Sequence, residues 1–307
     1  MMITDNNKYF RIPDLKDVLN WPDVLAVIVN WNGKDDVLEC LKSLVKVNYP
    51  KDKFRIVVVD NGSSDGSQAA ISSAYPDVLL IKNKKNKGYV RAINQGIEHG
   101  LAQNVEYVWI CNNDIVVHEN ALAQLVKIGQ NAPEIGVVAP VIYSYKQPQT
   151  VDNIGYRINF WIGRLKKLKY KEDIFVDPQS RMCDVDSNLG CSNIIKTSLF
   201  HTIGMFRPIY NIYFEETDFN VRAKRSGSRV VVVQEAKVWH KTAATMDKFL
   251  FRRAYLLLRN LFIFEILNAR LKHLIIFVPY YFLVHIPYFF IHGSYYGLKV
   301  KRMNKKA

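Results

Sequence analysis

The chain has 307 residues, 49% of them hydrophobic, enough for one large α/β domain plus an appendage around a substantial core, which excludes a disordered chain. A formal net charge of +14 points to an anionic partner, whether nucleic acid, acidic lipid head groups or phosphorylated substrates, and composition does not choose among them. The four cysteines, Cys40, Cys111, Cys183 and Cys191, have no CxxC or other metal-ligand spacing, so reduced thiols in a cytosolic compartment fit best.

Residues 1–22 read as a polar lead-in without the basic-then-apolar layout of a signal peptide, so the folded part is expected to stay in the cytoplasm. Residues 24–30 (VLAVIVN) form a first buried strand. The following KDDVLECLKSLVKV carries Val37, Leu38, Leu41, Leu44 and Val45 at helical spacing, and Pro50 ends the unit. Strand 55–59, a helix near 66–74, strand 78–82 and a helix over 89–102 come next. VEYVWIC at 105–111 is another strand, running into Asn112-Asn113-Asp114, then an amphipathic helix at 119–130 and strand 136–142. Such alternation predicts a parallel sheet covered on both faces.

Residues 143–188 are polar, aromatic and basic without a clean period, and a stretch that long without strong elements is usually functional or mobile. LGCSNIIKTSLFHTIG at 189–204 reads as helical, FEETDFNVRAKRSG at 214–227 as an acidic turn entering a helix, and RVVVVQ at 229–234 as a strand. The expected domain spans 23–249. Residues 250–307 then change character, with dense Leu, Ile, Phe and Tyr between Lys and Arg clusters, the composition of a membrane-contacting segment.

Three polar clusters stand where strands should end: Trp31-Asn32-Gly33, Asp60-Asn61-Gly62 and Asn112-Asn113-Asp114. An aliphatic strand meeting Asp60 is also how any parallel strand enters a turn. Open α/β sheets, however, bind ligands at the carboxyl ends of their strands, so neighbouring strands would bring these loops to one edge able to take a nucleotide. NKGYVRAINQGI adds Asn86, Gly88 and Arg91 in a loop entering a helix, where backbone N–H groups and a guanidinium favour anions; an ordinary helix start is the other reading.

With VIVNWNG at 27–33, VVVDNGSSDGS at 57–67, NKGYVRAINQGI at 86–97, WICNNDIVV at 109–117, YFEETDFNVRAKRSG at 213–227 and VWH at 238–240, the chain resembles a family 2 glycosyltransferase of the GT-A fold. The likeness covers residues 24–262 and is strongest to the branch that adds rhamnose and similar sugars to cell-surface polysaccharides. It implies an α/β fold with a Rossmann-like, mostly parallel sheet flanked by helices, followed by a C-terminal apolar helical membrane-associating segment. It also implies a metal-dependent, inverting transfer of a sugar from a nucleotide-diphosphate donor to a glycan or lipid-linked acceptor. On this likeness Asp60 and Asn61 bind the donor, with Trp31 packed against the base; a core indole is the alternative for Trp31, and Asn32 is a turn former. Asp114 corresponds to the last carboxylate of a DxD-like motif that holds Mg²⁺ or Mn²⁺ on the diphosphate. The two positions before it are Asn rather than Asp, which turns Asn113 toward the ribose or donor sugar. His240 falls near the diphosphate or metal, or is structural.

The acidic turn supplies the chemistry. Attack of an acceptor hydroxyl on an anomeric carbon needs a carboxylate to take the proton. The family usually has Glu-Asp-x-Asp there with the second residue as base, which is Glu216 here. Asp218 either reacts or caps the helix, and Arg222 pairs with a carboxylate or phosphate or lies on a solvated face. The rival readings are weaker: no nucleic-acid module is recognisable, and GxxxxGK[ST] and GxGxxG are absent. A catalytically weak sugar-nucleotide- or glycan-binding protein of the same fold stays open, as does a homo-oligomer.

Residues 274–291 are long enough to cross a bilayer. Basic residues flank them on both sides, Arg270 and Lys272 before, and Lys299, Lys301, Arg302, Lys305 and Lys306 after. A single crossing would strand one cluster outside. The expectation is therefore a hairpin or in-plane pair, 250–268 and 274–296, on the anionic cytoplasmic leaflet of the cell membrane. The alternative is a helical extension packed on the catalytic domain or a second subunit.

Overall fold

A computed structural model describes residues 20–175, 181–241 and 250–291; most of the lead-in and the distal basic cluster lie outside these residues. In chain order the elements are β1 (Val24–Asn30), α1 (Lys34–Leu44), β2 (Phe54–Asp60), α2 (Ser67–Ala74), β3 (Leu79–Lys82), α3 (Tyr89–Ala102), β4 (Tyr107–Asn112), β5 (Ile115–Val117), α4 (Ala121–Asn131) and β6 (Ile135–Ser144). There follow β7 (Val151–Asn153), β8 (Tyr156–Asn159), β9 (Arg164–Lys167), β10 (Met182–Asp184), β11 (Ser192–Lys196), α5 (Thr197–Ile203), α6 (Glu215–Arg225), β12 (Arg229–His240), α7 (Leu250–Asn268) and α8 (Leu271–Tyr280).

One mixed sheet organises the body, in the order β10-β12-β6-β11-β4-β1-β2-β3. β1 is buried at every position, as a parallel strand covered on both faces requires, and its alternate side chains feed two cores: Ala26 and Ile28 one, Val27 and Val29 the other. β1 runs parallel to β2 and β4 with Asn30 opposite Asp60 and Val29 opposite Asn112, so the three polar clusters end level along one edge.

Residues 189–204 are not the continuous helix their apolar spacing suggests. β11 inserts antiparallel between β4 and β6, and α5 follows it. The adjacent β-branched Ile194 and Ile195 point to opposite faces and are buried in the two different cores, and Trp109 Nε1 donates to Ser192 Oγ at 3.0 Å. The weakly patterned stretch 143–188 holds strands of three or four residues, too short to display a period: β7 on β6, β10 on β12, and a β8–β9 hairpin.

α7 and α8 lie antiparallel, with Phe262 4.8 Å from Tyr281 and Phe251 5.7 Å from Phe289 between ring centroids. The expected boundary after residue 249 cuts through packed structure. α7 buries Asn260, Phe264 and Asn268 at i, i+4 and i+8, and the Phe264 ring lies 5.7 Å from Phe160 and 5.5 Å from Phe214. α8 is different. Through a π-helical segment at Tyr281–His285 it continues to Ile291, and this 21-residue stretch is mostly unburied and long and apolar enough to cross a membrane.

Candidate active site

At the carboxyl edge of the sheet a fully buried amide links two of the clusters. Asn30 Nδ2 donates to Asp60 Oδ2 at 3.1 Å, and Asn30 Oδ1 accepts from Asn113 Nδ2 at 2.9 Å. The Asp60 carboxylate also accepts from the Ser63 N–H (3.0 Å) and Gln68 Nε2 (2.7 Å). Burial works to raise its pKa, but the hydrogen bonds from Ser63, Gln68 and Asn30 outweigh burial and hold it below the usual carboxylate value. Asp60 is thus a buried anion that shapes the DNGSSDGS turn.

Around it, Trp31 is 39% exposed, so it is not a core indole. Asn32 has φ 50° and accepts the Ser64 N–H, the expected turn former. Asn61 is buried and spends its amide on the neighbouring loop: Nδ2 donates to Asn86 Oδ1 at 3.0 Å and Oδ1 accepts the Lys87 N–H at 3.0 Å. Asn86 and Arg91 are exposed on either side of Gly88. Gly88 has φ +86°, and a Cβ there would collide with Asn211 Oδ1, so only glycine allows this loop to meet the loop ahead of α6.

β5 pairs with the end of β12, placing Ile115 opposite His240, and this brings His240 Nε2 to 3.2 Å from Asp114 Oδ1. Among the described residues no group of three His, Cys, Asp or Glu side chains could hold an ion. One carboxylate and one imidazole still fit Mg²⁺ or Mn²⁺, because such cations take their remaining ligands from diphosphate oxygens and water.

Glu216 reaches the same edge by another route. Its Cγ and Cδ pack within 3.2–3.3 Å of where a Cβ on Gly190 would stand, and the next residue, Cys191, accepts the Asn112 N–H at 2.9 Å. Tyr89 Oη donates to Asn112 Oδ1 at 3.3 Å. Burial raises the Tyr89 hydroxyl well above its ordinary value, with the Glu215 and Glu216 charges adding to it. Glu216 is half-buried. Its Oε2 is sealed from solvent without a hydrogen-bond partner, and burial pushes its carboxyl up to about 7. Its neighbour Glu215 is also raised well above the ordinary carboxylate value, by burial and then by the Glu216 charge.

Asp218 does not cap α6, and its carboxylate is taken up by neighbouring side chains. Fully buried, it accepts from Arg207 (2.9 Å), Tyr210 Oη (3.1 Å), Arg222 Nε (2.8 Å) and Asn268 Nδ2 (2.9 Å), leaving it engaged on every side. Arg222 therefore takes the carboxylate-pairing role. Sequence reading passed over Asn30, Tyr89, Gly190 and Asn260. Asn30 had a signal, being the polar terminus of an aliphatic strand level with Asp60, whereas the others are defined by contacts between distant segments.

Residues 25–193 match the family described as Glycosyl transferase family 2. The chain belongs to glycosyl transferase family 2, whose members act on nucleotide sugars. The match stops before Glu216 and His240. Among characterised relatives, the low-salt glycan biosynthesis hexosyltransferase Agl10 of Haloferax volcanii is 26% identical, over 78% of this chain and 75% of its own length. The N-acetylglucosaminyl-diphospho-decaprenol L-rhamnosyltransferase of Mycobacterium tuberculosis is 25% identical over 61% of this chain, which spans 66% of that protein. The mannosyltransferase PcManGT of Pyrobaculum calidifontis, solved in complex with GDP-Man and Mn²⁺, superposes with a TM-score of 0.62 at 19% identity, covering 86% of this chain and 69% of that one. At that identity the likeness is one of fold, the GT-A architecture.

Proposed function

We propose that this glycosyltransferase inverts configuration in a single displacement, with Glu216 as general base. The observation that carries the reading is a sealed carboxylate oxygen on Glu216, held at the edge where β4 ends at Asn112, with its pKa raised toward neutrality. An acid tuned near the working pH is what proton abstraction from a sugar hydroxyl requires. The acceptor oxygen forms a bond to the anomeric carbon as the bond from that carbon to the diphosphate oxygen breaks. The acceptor proton passes to Glu216, and the nucleoside diphosphate leaves. Asp60, through Asn30 and the 61–67 turn, shapes the base-binding end beside Trp31. Asn61 seats the loop carrying Asn86, Gly88 and Arg91 next to the phosphates, and Asn113 faces the donor sugar. Asp114 and His240 would hold a divalent cation, which when bound neutralises charge on the diphosphate.

The tail and the relatives support our reading of the acceptor class. α7 and α8 expose Phe251, Tyr255, Leu271, Ile275, Phe282 and Leu283 beside Arg252, Arg270 and Lys272, an apolar and basic face suited to an anionic leaflet. The mycobacterial relative's name includes a decaprenol-linked acceptor and rhamnose. A rhamnose-type donor and a lipid-linked glycan acceptor at the cytoplasmic membrane face are the reading we favour. The test is nucleotide release from a panel of dTDP-, UDP- and GDP-sugars with Mg²⁺ or Mn²⁺. Release from one donor that disappears in Glu216→Gln, while donor binding persists, is the expected result; full turnover by Glu216→Gln would remove the base assignment.

A further inference from the structure

The turn that presents Glu216 is gripped by a single side chain of the tail. Asn260, fully buried on α7, places Nδ2 2.9 Å from the Tyr210 carbonyl oxygen, 2.8 Å from that of Ile212 and 2.9 Å from that of Tyr213. Its own Oδ1 accepts from Arg259 at 2.8 Å, which orients the amide with its donors toward the turn. That turn needs holding. Asn211, Tyr213 and Phe214 have φ of 64°, 71° and 71°, a left-handed backbone that side-chain-bearing residues adopt only where the surroundings impose it. Glu215 begins α6 directly after it, and Glu216 is two residues beyond Phe214. Eight residues along the same stripe, Asn268 donates to Asp218 Oδ1 at 2.9 Å, so α7 holds the entrance of α6 at two points.

The side of α7 opposite Asn260, Phe264 and Asn268 exposes Phe251, Tyr255 and Ile266, and α8 with its continuation exposes Leu271, Ile275 and Leu283. One helix thus carries the clamp on its inner stripe and the lipid-suited surface on its outer one.

We propose that Asn260 is a positioning residue through which seating α7 on an anionic lipid surface fixes the turn that aims Glu216. This rests on the reading of Glu216 as base and of the helix pair as lipid-facing. Hydrogen–deuterium exchange of the full chain, free and on phosphatidylglycerol/phosphatidylcholine vesicles, tests the coupling without a donor. In the unsubstituted protein, vesicles should slow exchange across residues 210–216, and Asn260→Ala should speed it by about tenfold, the effect of losing one or two buried hydrogen bonds on a local opening. Asn260→Ala should also lose the vesicle response while the amides of β1, β2 and β4 stay protected.

Using the donor found by nucleotide release, Asn260→Ala should lower kcat by about tenfold with donor KM unchanged, as expected when only transition-state alignment is lost, and Asn260→Ser, which keeps one donor, should recover part of it. If Asn260→Ala loses sheet protection as well, Asn260→Ser and the vesicle response of the unsubstituted chain decide. Exchange across 210–216 that ignores vesicles, or a vesicle response that survives in Asn260→Ser undiminished, overturns the proposal. A dead Glu216→Gln alongside a fully active Asn260→Ala would sink this inference alone; an active Glu216→Gln would sink the base assignment beneath it.

Discussion

Glu216 and Asp218 stand two residues apart in one helical turn and meet opposite surroundings. Asp218 is enclosed by two guanidinium groups, a phenol and an amide, and we propose a structural role for its carboxylate. Asp218→Asn should lower the thermal midpoint, since removing one partner of a buried ion pair costs about 3–5 kcal/mol, while the folded fraction keeps its turnover. Glu216→Gln should do the reverse, leaving the midpoint in place and cutting transfer by about 10²–10⁴-fold. A stable but inactive Asp218→Asn would move the base assignment to that residue. Because burial pushes Glu216 up to about 7, the deprotonated base accumulates only as pH rises through neutrality, so kcat/KM should climb across that range and level off above it. A profile flat from pH 5.5 to 8.5 would contradict a neutral-range base.

A second carboxyl titrates out of range for the same reason. Glu265 on α7 is fully buried with neither oxygen hydrogen-bonded, and burial pushes it up to about 8. In the unfolded chain a glutamate titrates near about 4.3, so between those values the folded state holds the extra proton. Its contribution to stability is complete below the unfolded value and is lost as pH rises through the folded one. The melting midpoint should therefore fall from pH 5 to pH 8.5 by at least about 5 °C more in the unsubstituted chain than in Glu265→Gln. Parallel pH curves for the two proteins would contradict this.

At the scale of elements, the tail divides between α7 and α8, not before α7. α7 fills the second core with Phe264 and holds the 210–213 turn and Asp218 through its two amides. α8 adds a small separate cluster, Leu261, Phe277 and Tyr281, and leaves most of its surface exposed. Ending the chain at Arg270 should give a soluble protein with a cooperative melt. Ending it at residue 249 should give an aggregating one, because it strips the partners from buried polar groups and opens a cavity at Phe264. Recovery in the supernatant without detergent, followed by a thermal melt, separates the two. The strand–helix alternation from residue 24 to about residue 140 was legible because its main strands are aliphatic runs closed by polar turns. β11 was not, since Ile194 and Ile195 become strand residues only where β4 and β6 leave a slot between them.

For the whole molecule, the lipid-facing reading proposed above has the +14 charge and the apolar helix pair acting on the same partner. Binding to phosphatidylglycerol-rich vesicles should weaken steeply between 0.05 and 0.5 M salt, as screening shortens the reach of the basic residues from about 14 Å to about 4 Å, leaving a residual from apolar burial. A tag at Ala307 should be cleaved by protease added to inside-out vesicles, whereas protection would indicate a true crossing.

Short segments state some things without partners: buried strands, the polar clusters at their ends, the order of motifs that marks the family, and the apolar, basic tail. Which polar groups face each other is set by the folded arrangement alone. Asn30 joins Asp60 to Asn113 because β1 lies between β2 and β4 in a particular register, Gly190 backs Glu216 from another loop, and Asn260 and Asn268 reach residues about 50 positions away. Periodicity reports whether a side chain is buried. It carries no information about its partner, because hydrogen-bond pairing depends on positions in space that chain closure and core packing set together.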